Sequence, residues 1–114
     1  MDLVEVSRPW FAAVRQGEHE NVFWYPVDGH PDGPNSNPYF RVDNAFAYAT
    51  EFNPHPGDPV LPWFAITEQF VFPAQGHARG ESVRPWYTIL GSMLYPTAHH
   101  AAGESNAPWY QERR

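Results

Sequence analysis

The chain has 114 residues, 13 acidic and 7 basic side chains, a formal charge of −6 and no cysteine, which suits one domain and excludes a disulfide framework, a thiolate metal site and a cysteine nucleophile. Its basic residues are all Arg and are scattered, so they form no footprint for nucleic-acid phosphates. Beside 13 Pro and 8 Gly stand 5 Trp, 6 Tyr and 8 Phe, a mixture that forbids long helices yet is too apolar for disorder, so short strands and ordered loops are expected.

The N-terminal stretch Met1 to Val6 has neither the basic start nor the apolar run of a secretion signal, and no later run approaches the roughly 18 to 20 apolar residues of a membrane helix. A soluble, cytoplasmic protein with no membrane partner is expected. The first recognisable element is Pro9-Trp10-Phe11, a proline followed by two aromatic residues, and the pattern returns at Pro38-Tyr39-Phe40, Pro62-Trp63-Phe64, Pro85-Trp86-Tyr87 and Pro108-Trp109-Tyr110. The last three intervals are 24, 23 and 23 residues.

A second box alternates with the first: Phe23-Trp24-Tyr25-Pro26, Phe46-Ala47-Tyr48-Ala49, Phe70-Val71-Phe72-Pro73 and Met93-Leu94-Tyr95-Pro96. After each comes a loop with His or Asn and then Gly, at His30 and Gly33, Asn53 and Gly57, His77 and Gly80, His100 and Gly103, and the next proline follows each Gly by five residues. A fixed period of this length is the signature of a tandem repeat. The predicted fold is therefore an all-β array of about four 23-residue β-hairpin repeats, with units 9–37, 38–61, 62–84 and 85–107 and a closing half-unit 108–114. The repeat breaks twice, with about six extra residues between Phe11 and Phe23 and one extra around Pro54 to Pro56.

Within a unit, both boxes are short, aromatic-rich and β-branched, as strands are. A two-residue turn at Asp43-Asn44, Thr67-Glu68 or Leu90-Gly91 would pair Trp86 with Tyr95, Trp63 with Phe72 and Tyr39 with Tyr48. A three-residue turn would instead place Phe40, Val42, Phe46 and Tyr48 on one face. A one-residue slip exchanges the faces of a strand, so both registers stand at this level. Since the first and last boxes are of the same type, an open meander or solenoid is preferred over a closed barrel, which would pair like with like.

Function is read from the repeated positions. Trp10, Tyr39, Trp63, Trp86 and Trp109 recur in one slot and serve as core or as a row of rings for a partner or ligand, the need of a small β protein for large apolar side chains favouring core. His30, His77 and His100, with His99 adjoining, could hold Zn2+ if the loops converge, but Asn53 in the equivalent slot favours a loop hydrogen bond that Asn can also make. No Gly-x-Ser-x-Gly elbow surrounds Ser82 or Ser105, Glu81 and Glu104 suit solvated loops, and Glu51, Asp58 and His55 are merely near in sequence, so no enzymatic activity is expected. The leading expectation is a non-enzymatic repeat module that binds a protein partner or copies of itself, using exposed end strands. The rival is a small multivalent glycan-binding protein with a site in each repeat at Trp63, Trp86 or Trp109 and polar neighbours such as Asn106.

Overall fold

The computed structural model describes residues 22–114, and the Pro9-Trp10-Phe11 box and the long first connection lie outside them. Eight strands follow in order: β1 Val22–Pro26, β2 Phe40–Asp43, β3 Phe46–Ala49, β4 Phe64–Thr67, β5 Phe70–Pro73, β6 Tyr87–Leu90, β7 Met93–Pro96 and β8 Tyr110–Arg113. Each pairs antiparallel with its neighbours in sequence, and β8 pairs with β1, closing a barrel. The all-β hairpin array is thus as expected, in its closed form and not as the preferred open meander. Among the described residues the chain begins with a second-box strand and ends with a first-box strand, so its ends are complementary. The like-with-like objection rested on the box at Pro9.

Tight turns set the register. Asp43 pairs with Phe46, Thr67 with Phe70 and Leu90 with Met93, so the turns are Asn44-Ala45, Glu68-Gln69 and Gly91-Ser92. The first residue of each is left-handed, with φ of +57° at Asn44, +57° at Glu68 and +65° at Gly91. This corrects both expected registers: the turn has two residues but lies one position later, placing Arg41 opposite Tyr48, Ala65 opposite Phe72 and Thr88 opposite Tyr95. The physical cause is the first turn position, where Gly91 and Asn44 accept a positive φ that most side chains resist. Phe40 and Val42 share a face that turns inward, but their partners inside are Ala47 and Ala49 and not the Phe46 and Tyr48 of the three-residue alternative, and Phe46 is exposed.

The closing pair has the same register as the hairpins. Tyr110 lies opposite Pro26 as Phe40 lies opposite Ala49, Phe64 opposite Pro73 and Tyr87 opposite Pro96. The barrel therefore contains four equivalent strand pairs, three joined by a turn and one assembled from the two ends of the described chain.

Barrels of this size are filled by side chains. The first-box strands contribute Phe40, Phe64, Tyr87 and Tyr110, and the second-box strands Trp24, Ala47, Val71 and Leu94, all buried. Three small or aliphatic residues leave space that the fourth fills: Trp24, 0% exposed, lies with its ring centroid 5.8 Å from Phe40, 6.3 Å from Phe64 and 6.4 Å from Tyr110. Its indole N–H donates to the Glu112 carboxylate at 2.9 Å, satisfying the one polar atom such a plug carries. No helix among the described residues is long and apolar enough to cross a membrane.

Candidate functional site: the histidine mouth and the outer grooves

Loops 27–39, 50–63, 74–86 and 97–109 gather at one mouth of the barrel. The His-to-Gly spacing reflects one repeated set of backbone bonds. The amides of His30, His77 and His100 donate to the carbonyls three residues back, and those of Gly33, Gly80 and Gly103 donate to the three His carbonyls. Gly33, Gly80 and Gly103 are left-handed, with φ of +79°, +79° and +88°, where glycine is unstrained.

Each imidazole Nδ1 accepts an amide two residues on: Asp32 to His30 at 3.0 Å, Arg79 to His77 at 3.1 Å and Ala102 to His100 at 2.9 Å. An accepting Nδ1 carries no proton, so the proton sits on Nε2. His30 Nε2–H accordingly donates to the Tyr110 hydroxyl and His100 Nε2–H to the Tyr87 hydroxyl, both at 3.0 Å. The Tyr87 and Tyr110 rings stand edge to face with centroids 5.7 Å apart, so the two imidazole–phenol pairs adjoin in the mouth. Unit two confirms how the loop works by substitution. Asn53 Oδ1 accepts the His55 amide at 2.9 Å, as an imidazole Nδ1 would, and its side-chain N–H donates to the Tyr39 carbonyl at 3.1 Å.

Aromatic rings alternate with these imidazoles. His77 lies between Trp63 and Trp86, with centroids 6.1 and 4.6 Å away; His100 lies between Trp86 and Trp109, at 4.4 and 4.5 Å; His30 lies between Trp109 and Tyr39, at 5.1 and 5.6 Å. Tyr39 and Trp63 are 3% and 5% exposed, and Trp86 and Trp109 pack half-buried against the same core. The recurring ring is thus a wall of the mouth, standing edge to face with or tilted against the imidazoles. Trp10 lies outside the described residues. The mouth brings His30, His77 and His100 to the same end but separates them by tryptophans, and His99 is exposed beside His100, its amide bonded to Thr97 Oγ1.

Electrostatics follow from burial. Desolvation, aided by the nearness of His77, His30 and Arg79, pulls the His100 imidazole down to about 4. His77 is lowered by burial and by Arg79. His30 is lowered by burial, with Asp32 opposing and His55 adding to the effect. Burial drives the Tyr87 and Tyr110 hydroxyls well above the usual phenol range.

One part of the mouth departs from the repeat. Asp32 Oδ2 receives His55 Nε2 at 2.8 Å and the Tyr39 hydroxyl at 3.1 Å, and it lies 3.9 Å from His30 Nδ1. Burial alone would raise the Asp32 carboxyl, but the hydrogen bonds from His55 and Tyr39 and the two neighbouring imidazoles outweigh it and hold the carboxyl below its ordinary range. Sequence reasoning set His55 beside Glu51 and Asp58. Asp58 instead turns on its own loop, its Oδ1 accepting the amides of Val60 and Leu61 at 2.7 and 2.8 Å. The signal that was present is the slot two residues after each loop His or Asn, which holds Asp32 and His55 where Arg79 and Ala102 stand in the other two loops.

On the outer wall, two grooves occupy equivalent places. One runs past Phe46, Ala65 and Phe72 under the loop Glu81-Ser82-Val83, and the other past Met93 and Arg113 under Pro34-Asn35-Ser36. Phe46 corresponds to Met93 and Val83 to Ser36 in the strand registers, so the repeat builds the same groove with different chemistry. Comparison with family models, with curated proteins and with solved structures finds no match for the chain.

Proposed function

We propose that the protein is a non-enzymatic β-barrel binding module whose outer grooves engage a protein surface, with a second copy of the chain as the first occupant to test. The observation that supports this reading is the composition of the Phe46 groove. Val83, 92% exposed, stands on its rim, and Phe46, 41% exposed, flanks its floor. One patch therefore offers both a projecting apolar side chain and a recess to receive one, which a two-fold interface between identical surfaces requires. Strand addition is not the route, because the described barrel has no unpaired end strand.

Sedimentation and light scattering from micromolar to near-millimolar concentration test the reading. The expected result is a reversible dimer that Val83→Asp dissociates; a strict monomer throughout overturns it. Glycan binding is the second reading, favoured by the other groove, where Asn35, Ser36 and Arg113 offer polar groups beside Met93. Binding on a glycan array lost in Arg113→Ala would put that reading first.

A further inference from the structure

We infer that His30, Asp32 and His55 form a binding site for one divalent transition-metal ion, with two imidazoles and one carboxylate as protein ligands. Their ligand atoms all lie within 4.8 Å of one another. Ligands 2.0–2.1 Å from a tetrahedral zinc ion stand about 3.3 Å apart. The His55 Nε2 to Asp32 Oδ2 distance of 2.8 Å and the His30 Nδ1 to Asp32 Oδ2 distance of 3.9 Å lie on either side of that value.

This corner of the mouth differs from its equivalents in the other loops. Three loops hold a histidine with its Nδ1 on an amide two residues on, but only at His30 does that amide belong to a carboxylate residue. In loop 50–63 the same slot, two residues after Asn53, holds His55, whose imidazole reaches that carboxylate. Two independent departures from the repeat, 23 positions apart, thus meet in space. Neither is needed for the loop fold, since the His77 and His100 loops close without a carboxylate or a second histidine.

The surroundings suit an ion. Tyr39 donates its hydroxyl to Asp32 Oδ2 and orients the carboxylate, as outer groups do around metal ligands. The His30 ring is fixed by its Nε2–H bond to Tyr110, which leaves Nδ1 as the ligand atom and requires it to exchange one amide bond for the metal. Asp32 and His55 are exposed, so water can complete the coordination shell. Imidazole and carboxylate donors together favour Zn2+, Co2+, Ni2+ or Cu2+ over Ca2+ or Mg2+. The site lies in the mouth and is independent of the outer grooves.

The test is titration of the full chain with Zn2+ by calorimetry and with Co2+ by visible absorption near neutral pH. One ion per chain is expected, with affinity falling at least tenfold in His55→Ala and in Asp32→Asn and unchanged in His99→Ala. Circular dichroism of each variant checks that the barrel is intact, which the exposure of His55 and His99 favours. Binding that survives His55→Ala and Asp32→Asn, binding that follows His99 instead, or no stoichiometric uptake overturns the site.

Discussion

Two strand pairs of identical register differ in how they are joined. The β6–β7 pair is a hairpin closed by Gly91-Ser92, whereas β8 and β1 meet from opposite ends of the described chain, with Tyr110 opposite Pro26 as Tyr87 is opposite Pro96. The hairpin gains its pairing locally, at small loop-closure entropy. The split pair can form only when the rest of the barrel is in place. It also carries the largest interior residue, Trp24, where β7 carries Leu94, and it holds that ring by a bond from one strand to the other, Trp24 to Glu112. The strand pair without a connecting turn thus carries the bulkiest interior side chain, and closure and core filling become one event.

Removing the split pair gives the largest effect. Deletion of 107–114 takes away β8, opens both β1 and β7, and uncovers Trp24, so hydrogen exchange should show protection lost throughout the barrel. Protection retained in β2 to β5 after the same cut would mean that the hairpins are stable without closure. Next comes Trp24→Ala, expected to cost about 3–5 kcal/mol in denaturant unfolding, against about 2–4 kcal/mol for Leu94→Ala, the equivalent position in the local hairpin. Equal costs would show that the plug is no more important than its counterpart.

Acid should weaken the molecule. His100, under the Tyr87 hydroxyl of the local hairpin, has a folded pKa of about 4 against 6.5 in the unfolded chain, so the unfolded state binds the proton more readily. Stability is full above pH 6.5 and is lost as pH falls toward 4, by on the order of 3 kcal/mol from this group. His100→Asn, copying Asn53, should flatten that slope in pH-dependent melts. The smallest effect concerns the turns. Glu68 holds a φ of +57° where the β6–β7 hairpin has Gly91, so Glu68→Gly should stabilise by about 0.5–1 kcal/mol while Gly91→Ala destabilises by about 1 kcal/mol.

Much of this was legible in the sequence because it is local. The 23-residue period, the strand boxes and the His-to-Gly loops all follow from side chains acting within a few residues of themselves, and Asn53 standing for a histidine pointed to the hydrogen-bond role that the loops display. The turn register was misplaced by one residue, since Asp43-Asn44 and Asn44-Ala45 both read as acceptable two-residue turns, and the positive φ at the first turn position selects Asn44-Ala45. The outer grooves left no mark, because each is built from strands and a loop far apart in the chain.

The sequence by itself determined an all-β repeat of hairpins with four strand pairs to satisfy, since period, proline placement and turn chemistry act along the chain. Tertiary structure alone decided that the pairs close into a barrel, that Trp24 fills it, and that Asp32 meets His55. Each of those depends on the curvature accumulated over eight strands, and on which side chains remain to fill the space it encloses, quantities that no single segment contains.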